Sequence, residues 1–201
     1  MASKADIRRT ELRDLLIDIA EKQIEVHGIT AIKARALAHQ ANCSVGAIYN
    51  VFGDLEGIIV AVNSRTFGKL GCHVAAALQD KGDLPATERL IIMSYAYLDY
   101  ASEHPRLWRA LFDVRMSTDM EVPNWYLDEL GQLFDHIDGP VRECFPDLDT
   151  DDVRLMTRAL FSSVHGIVIR GLEHRISGVP RDHIHRMIAM LLRSATRNTS
   201  F

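Results

Sequence analysis

Leu37-Ala38-His39-Gln40-Ala41-Asn42-Cys43-Ser44-Val45-Gly46-Ala47-Ile48-Tyr49-Asn50-Val51-Phe52 is the stretch on which the fold turns. It reads as two short helices joined by a tight turn. Ala38 is small enough for the second helix to cross over the first. Asn42 stands where the backbone must reverse, and asparagine is among the few residues other than glycine that tolerate a left-handed conformation. Ser44 follows in the N-cap position, its hydroxyl available to the first free N–H groups of the next helix. Ile48, Val51 and Phe52 give that helix an apolar inward face. A helix-turn-helix of this kind has the shape that sets its second helix into the major groove of double-stranded DNA.

Outward from this turn, 3.6-residue periodicity recurs through almost the whole chain and strand signals are nearly absent. Leu12, Leu15, Leu16, Ile19, Ala20 and Ile24 form the apolar stripe of a first helix that stops at His27-Gly28. Asp54 is placed to cap a fourth helix carrying Leu55, Ile58, Ile59, Val62, Phe67 and Leu70. Further helices follow Pro85, begin at Pro105, run from about Asn124 to Cys144 with a break at Gly139-Pro140, open at Asp149 or Thr150, and start at Pro180. The segment Ser117 to Pro123 reads as a loop. The expected fold is all-α with about nine helices: an N-terminal three-helix head containing the helix-turn-helix and a larger C-terminal helical body. The expected division is 1–53 and 54–201, with a connecting helix over about 54–80.

A chain of 201 residues, 47% hydrophobic and 25% charged, can bury an ordinary globular core. The formal net charge of −4 gives no global sign of nucleic-acid binding. Residues 1–52 hold seven Lys/Arg and six Asp/Glu, and the remainder is net acidic, so contact with DNA must rest on local placement of charge. The three cysteines, Cys43, Cys72 and Cys144, lack CxxC spacing and suggest neither a disulfide framework nor a metal site. No apolar run opens the chain as a signal peptide would, and none approaches the roughly 18 residues of a membrane span. No membrane association and a reduced cytoplasmic location are expected. No nucleophile, phosphate-loop or metal motif points to an enzyme or a cofactor.

Gly28, Leu37-Ala38, Ala41, Ser44, Gly46, Tyr49, Phe52 and Leu55 to Ile59, taken in register, resemble the N-terminal signature of TetR-type (TetR/AcrR) transcriptional regulators over about residues 10–65. His104-Pro105 with Leu107 and Phe112, and later His165-Gly166, are similar to one common type of C-terminal domain in that family. The resemblance implies a homodimer whose last two long helices form a four-helix interface. It also implies a small-molecule pocket in the body and a fourth helix linking it to the DNA-binding heads. Most members are repressors that leave their operator when the effector binds. The chain departs from the pattern at Leu55 and Glu56, where many members carry a basic residue, and at Asn50, where a residue such as His is usual.

With Ile48, Val51 and Phe52 turned inward, the face offered to DNA is Val45, Gly46, Ala47, Tyr49 and Asn50, with Ser44 at its start. Asn50 suits an adenine edge, Val45 and Ala47 suit thymine methyls, and Gly46 allows close backbone approach. Tyr49 suits a phosphate through its hydroxyl. Lys33 and Arg35, at the start of the second helix, are natural phosphate clamps. A polar arm from Lys4 to Arg9 adds salt-dependent affinity. Each of these also has a plain reading as a solvated or core-edge side chain.

The central helices carry bulky, slightly polar groups of the kind that line pockets in bundles: Met93, Tyr97, Trp108, Phe112, Met116, Trp125, Phe161 and His165. Trp108, Phe112 and Trp125 are preferred for a small-molecule effector, although such residues at helical spacing also build ordinary cores. A strip at Leu155, Ala159, Ser163 and Ile167, with Ile184, Met187, Ile188 and Leu191 on the last helix, suits a homodimer interface or packing within one chain. Two other functions fit less of the sequence. A redox- or metal-responsive regulator would use Cys43 in the turn, the His183-x-His185 pair being too short to specify a metal, and a helical interaction module would bind no DNA.

Overall fold

The computed structural model describes residues 3–113, 124–173 and 180–197. The helices are α1 (Lys4–His27), α2 (Ala34–Gln40), α3 (Val45–Phe52), α4 (Leu55–Ala77), α5 (Ala86–Glu103), α6 (Pro105–Asp113), α7 (Asn124–Cys144), α8 (Thr150–Leu172) and α9 (Ile184–Ala195), with single 3-10 turns at Ile29–Ala31 and Arg181–His183. The fold is all-α. Among the described residues no single helix is long and apolar enough to cross a membrane, and the apolar pair α3–α4 is bent by 59°. The expected loop at Ser117 to Pro123 lies outside the described residues.

Contacts divide the chain into two compact units, Met1–Lys69 with His104–Leu127, and Leu70–Glu103 with Asp128–Phe201. These differ from the segments 1–53 and 54–201, because α4 contributes to both units and α6 belongs to the first. Leu107 and Ala110 of α6 are buried in the same core as Leu16, Ile24, Leu37, Ile48 and Ile58. The buried Asn63 amide of α4 donates to the Ala110 carbonyl at 2.9 Å. Periodicity marks α6 as amphipathic, but it cannot say which neighbour receives the apolar face.

Within the first unit, α1 begins earlier than its apolar stripe. Ser3 and Asp6 form a reciprocal capping box, with Ser3 Oγ accepting from the Asp6 N–H at 3.1 Å and the Asp6 carboxylate accepting from the Ser3 N–H at 3.0 Å. The residues Lys4 to Arg9 are therefore helical, where the sequence suggested an arm. The buried face of α1 is Leu16, Ile17, Ala20, Glu21 and Ile24, while Leu15 is exposed. Glu21 is held by Lys69 and by Arg65, whose guanidinium donates at 2.9 Å and also reaches Asp18.

In the second unit α5 packs on α8 and α9, and α8 packs on α9. Leu90, Tyr97, Val164, Val168, Ile188 and Leu192 are among its buried residues. Polar links tie the rim: Arg193 makes a two-pronged pair with Glu88 at 3.1 and 3.2 Å, and Thr157 donates to Asp138 at 2.7 Å. The break expected at Gly139-Pro140 does not occur, and α7 continues through Pro140.

Candidate functional site

The turn before α3 is built as its residues dictate. Asn42 has φ of 50°, and the Cys43 N–H donates to the Ala38 carbonyl at 3.0 Å, closing the turn over the small Ala38 side chain. Ser44 caps α3, its Oγ accepting from the Ala47 N–H at 3.1 Å. At the other end Gly53, with φ of 79°, stops the helix, and its N–H reaches the Tyr49 carbonyl at 2.8 Å. Eight residues are thus fixed at both ends, with Ile48 fully buried beneath them.

Ser44, Gly46, Tyr49 and Asn50 are exposed, Tyr49 to 44%, and Ala47 is half-buried. Val45 differs from expectation: it is half-buried and packs on the head core, which removes much of its side chain from the outer face. Lys33 and Arg35 are exposed and make no ion pair among the described residues. Lys33 is the residue before α2 and takes the cap position without a side-chain bond. Sequence reasoning missed the brace behind α3. Arg9 donates to the Asn50 carbonyl at 3.1 Å, and the Arg13 guanidinium lies 5.6 Å over the Phe52 ring. Two α1 cations thereby sit against the C-terminal part of α3.

The second unit contains a half-open pocket with a cavity volume of about 50 Å³, lined by Val74, Leu90, Met93, Ser94, Tyr97, Ile137, Leu160, Phe161, Val164 and Leu192. Three expected residues, Met93, Tyr97 and Phe161, line it. The Tyr97 hydroxyl lies 2.7 Å from His165 Nδ1, so His165 reaches the wall through Tyr97. Burial lowers the His165 pKa and keeps the imidazole neutral near pH 7. Phe161 stacks on His165 and stands edge-on to Tyr97 and Phe134.

Trp108 and Phe112 do not line this pocket. Both lie on α6 in the first unit, edge-on to each other, and Trp108 is only 1% exposed. A large aromatic beside a loop carries no mark of which unit will bury it. Met116 and the side chain of Trp125 lie outside the described residues. The aliphatic lining from α4, α7, α8 and α9 had no distinguishing signal, since each residue reads as ordinary core.

Of the proposed interface strip, Leu155 is 64% exposed, Ala159, Ser163 and Met187 are exposed, and Ile167 and Leu191 are half-buried. Ile184 and Ile188 face inward and are buried within their own unit. The open apolar face of α9 is instead Met187, Met190 and Leu191, offset from the buried row by the helical period. His183 and His185 are exposed, and His185 packs edge-on to Tyr95. Among the described residues no three His, Cys, Asp or Glu side chains converge on a point.

Residues 90–195 match the family described as tetracyclin repressor-like, C-terminal domain. No curated protein sequence matches the chain. A TetR-family transcription regulator from Shewanella sp. PV-4 is 16% identical with a TM-score of 0.67, over 92% of this chain and 97% of that one. RolR, solved with resorcinol, is 21% identical with a TM-score of 0.68, over 94% of this chain and 89% of that one. FadR from Bacillus subtilis, solved with stearoyl-CoA, is 19% identical with a TM-score of 0.65, over 89% of this chain and 96% of that one. With a body matched over its helices and a capped helix-turn-helix at its head, the chain belongs to the TetR family of transcriptional regulators.

Proposed function

We propose that the chain is a homodimeric repressor that holds operator DNA through α3 and releases it when a small molecule fills the cavity of the second unit. The observation that carries this reading is the outer surface of the head. A helix fixed at both ends presents Ser44, Gly46, Tyr49 and Asn50, and the exposed cations Lys33 and Arg35 at the start of α2 make no ion pair among the described residues. Tyr49, Lys33 and Arg35 contact phosphate, Asn50 reads a base edge, and Gly46 allows the backbone close approach.

The head carries little net positive charge, and few hydrogen-bonding groups lie on α3, so a single head binds weakly. Two heads on one duplex add their affinities through linkage, provided their spacing matches a helical turn, about 34 Å. Spacing is then what a ligand must alter. The exposed strip of Leu155, Ala159, Ser163, Met187 and Met190 supports pairing of two chains through α8 and α9.

Fluorescence anisotropy with selected DNA tests this. Lys33→Ala should weaken binding and reduce the dependence on salt by about one counterion. Unchanged affinity and an unchanged salt slope would remove Lys33 from the interface.

A further inference from the structure

We infer that Arg9 is a positioning residue for base reading: from α1 it holds the backbone of Asn50, so that the Asn50 side chain meets a base edge in a fixed pose. The inference rests on reading α3 as the helix that contacts DNA. It gives Arg9 a role other than the salt-dependent contact expected of a polar arm.

The last four carbonyls of an α-helix have no partner within it, and α3 is only eight residues long. Its last four carbonyls belong to Tyr49, Asn50, Val51 and Phe52. The Tyr49 carbonyl accepts from the Gly53 N–H at 2.8 Å, and the Asn50 carbonyl accepts from the Arg9 guanidinium at 3.1 Å. A cation at this end also suits the negative pole of the helix dipole. One turn further along α1, the Arg13 guanidinium lies 5.6 Å from the centre of the Phe52 ring, within cation–π range. Residues four apart share a helix face, so one face of α1 meets the end of α3 twice.

That face is itself anchored. The Ser3–Asp6 capping box makes Arg9 part of a helix, and Leu16, Ile17 and Ala20 further along α1 are buried in the head core. A phosphate contact suits Arg9 less well. Its guanidinium is engaged by a carbonyl, and its charge already interacts with the Asp6 carboxylate one turn earlier. A side chain that reads a base must be held within roughly 0.5 Å of its productive pose. Asn50 is exposed, so little packing fixes its side chain directly. The constraint has to enter through its backbone, where Arg9 acts.

Anisotropy of the full-length protein on selected operator DNA and on shuffled DNA tests this, with Arg9→Met, Asn50→Ala and the double variant. Methionine keeps the apolar stem and removes the donor and the charge. Arg9→Met should weaken operator binding about fivefold, the net value of one hydrogen bond. Affinity for shuffled DNA and the salt slope should stay unchanged. On the Asn50→Ala background the same change should cost less than about twofold, because a residue acting through Asn50 then has nothing left to position. A salt slope lower by about one counterion would make Arg9 a phosphate contact and overturn the inference. Equal losses on both backgrounds, an equal loss on shuffled DNA, or unchanged operator affinity in Arg9→Met would overturn it as well. The parent reading fails separately. Wild-type protein that selects no DNA, or Asn50→Ala that binds operator as tightly as wild type, would overturn the role of α3 or of Asn50 before Arg9 is considered.

Discussion

At Gly57, in the first turn of α4, a β-carbon would lie 2.6 Å from the Phe52 carbonyl oxygen. Replacing glycine by alanine inside a helix otherwise stabilises by about 1 kcal/mol. Here the clash is with backbone and cannot be relieved by a rotamer, so Gly57→Ala should destabilise by about 1–3 kcal/mol in denaturant unfolding. A gain in stability would show that α3 and α4 are not held this closely. Tyr49→Phe should lower operator affinity about fivefold, the net value of one hydrogen bond, with no change in melting temperature because the ring is exposed. A marked fall in melting temperature would assign Tyr49 to the core. At Glu21, burial raises the carboxyl pKa, but the bonds and charges of Lys69 and Arg65 outweigh it and hold the group below its ordinary value. A depressed carboxylate contributes stability above its unfolded value of 4.5, lost as pH falls through the lower folded value. Glu21→Gln should therefore cost about 1 kcal/mol at pH 7, allowing for solvent screening at Lys69 and Arg65. The difference should shrink as pH drops below 4.5, and a constant difference across that range would detach Glu21 from the ion cluster. The residues best read from sequence were those whose conformation is local: Asn42 turns and Ser44 caps, both within a few bonds. The packing of Val45 and Trp108 was not legible because it depends on neighbours distant in the chain.

At the scale of elements, each α-helix was legible from its apolar spacing, but the facing direction was less so. The stripe on α1 was read through Leu15 where the structure buries Ile17, a rotation within the same helix. The start of α1 was hidden because its capping box is polar and precedes any apolar repeat. On α9 the buried and exposed rows are both apolar, so periodicity could not separate Ile184 and Ile188 from Met187 and Met190. The distinction can be measured. Leu155→Arg with Met190→Arg, both more than half exposed in the protomer, should reduce the mass seen by light scattering from twice the chain mass to one while preserving helix content. Ile188→Ala, at a fully buried site, should instead cost about 2–5 kcal/mol of stability. If the double arginine variant remains a dimer, the chains pair elsewhere.

For the whole molecule, the sequence already contained the decisive contrast between a nearly neutral head and an acidic remainder. On the proposed reading such a head binds through a partner head, and its affinity should depend on the distance between half-sites. Of the pocket wall only Met93, Tyr97 and Phe161 were marked out in the sequence, because the aliphatic remainder comes from helices remote in sequence. The decisive measurement is capture and sequencing of genomic DNA fragments on the full-length protein, followed by anisotropy titration of the enriched sequence against shuffled DNA. The account predicts an inverted repeat with half-site centres about one helical turn or a whole multiple apart. It also predicts binding to that repeat at least about a thousandfold tighter than to the shuffled control. Capture of no enriched sequence, or equal affinity for repeat and control, would contradict it.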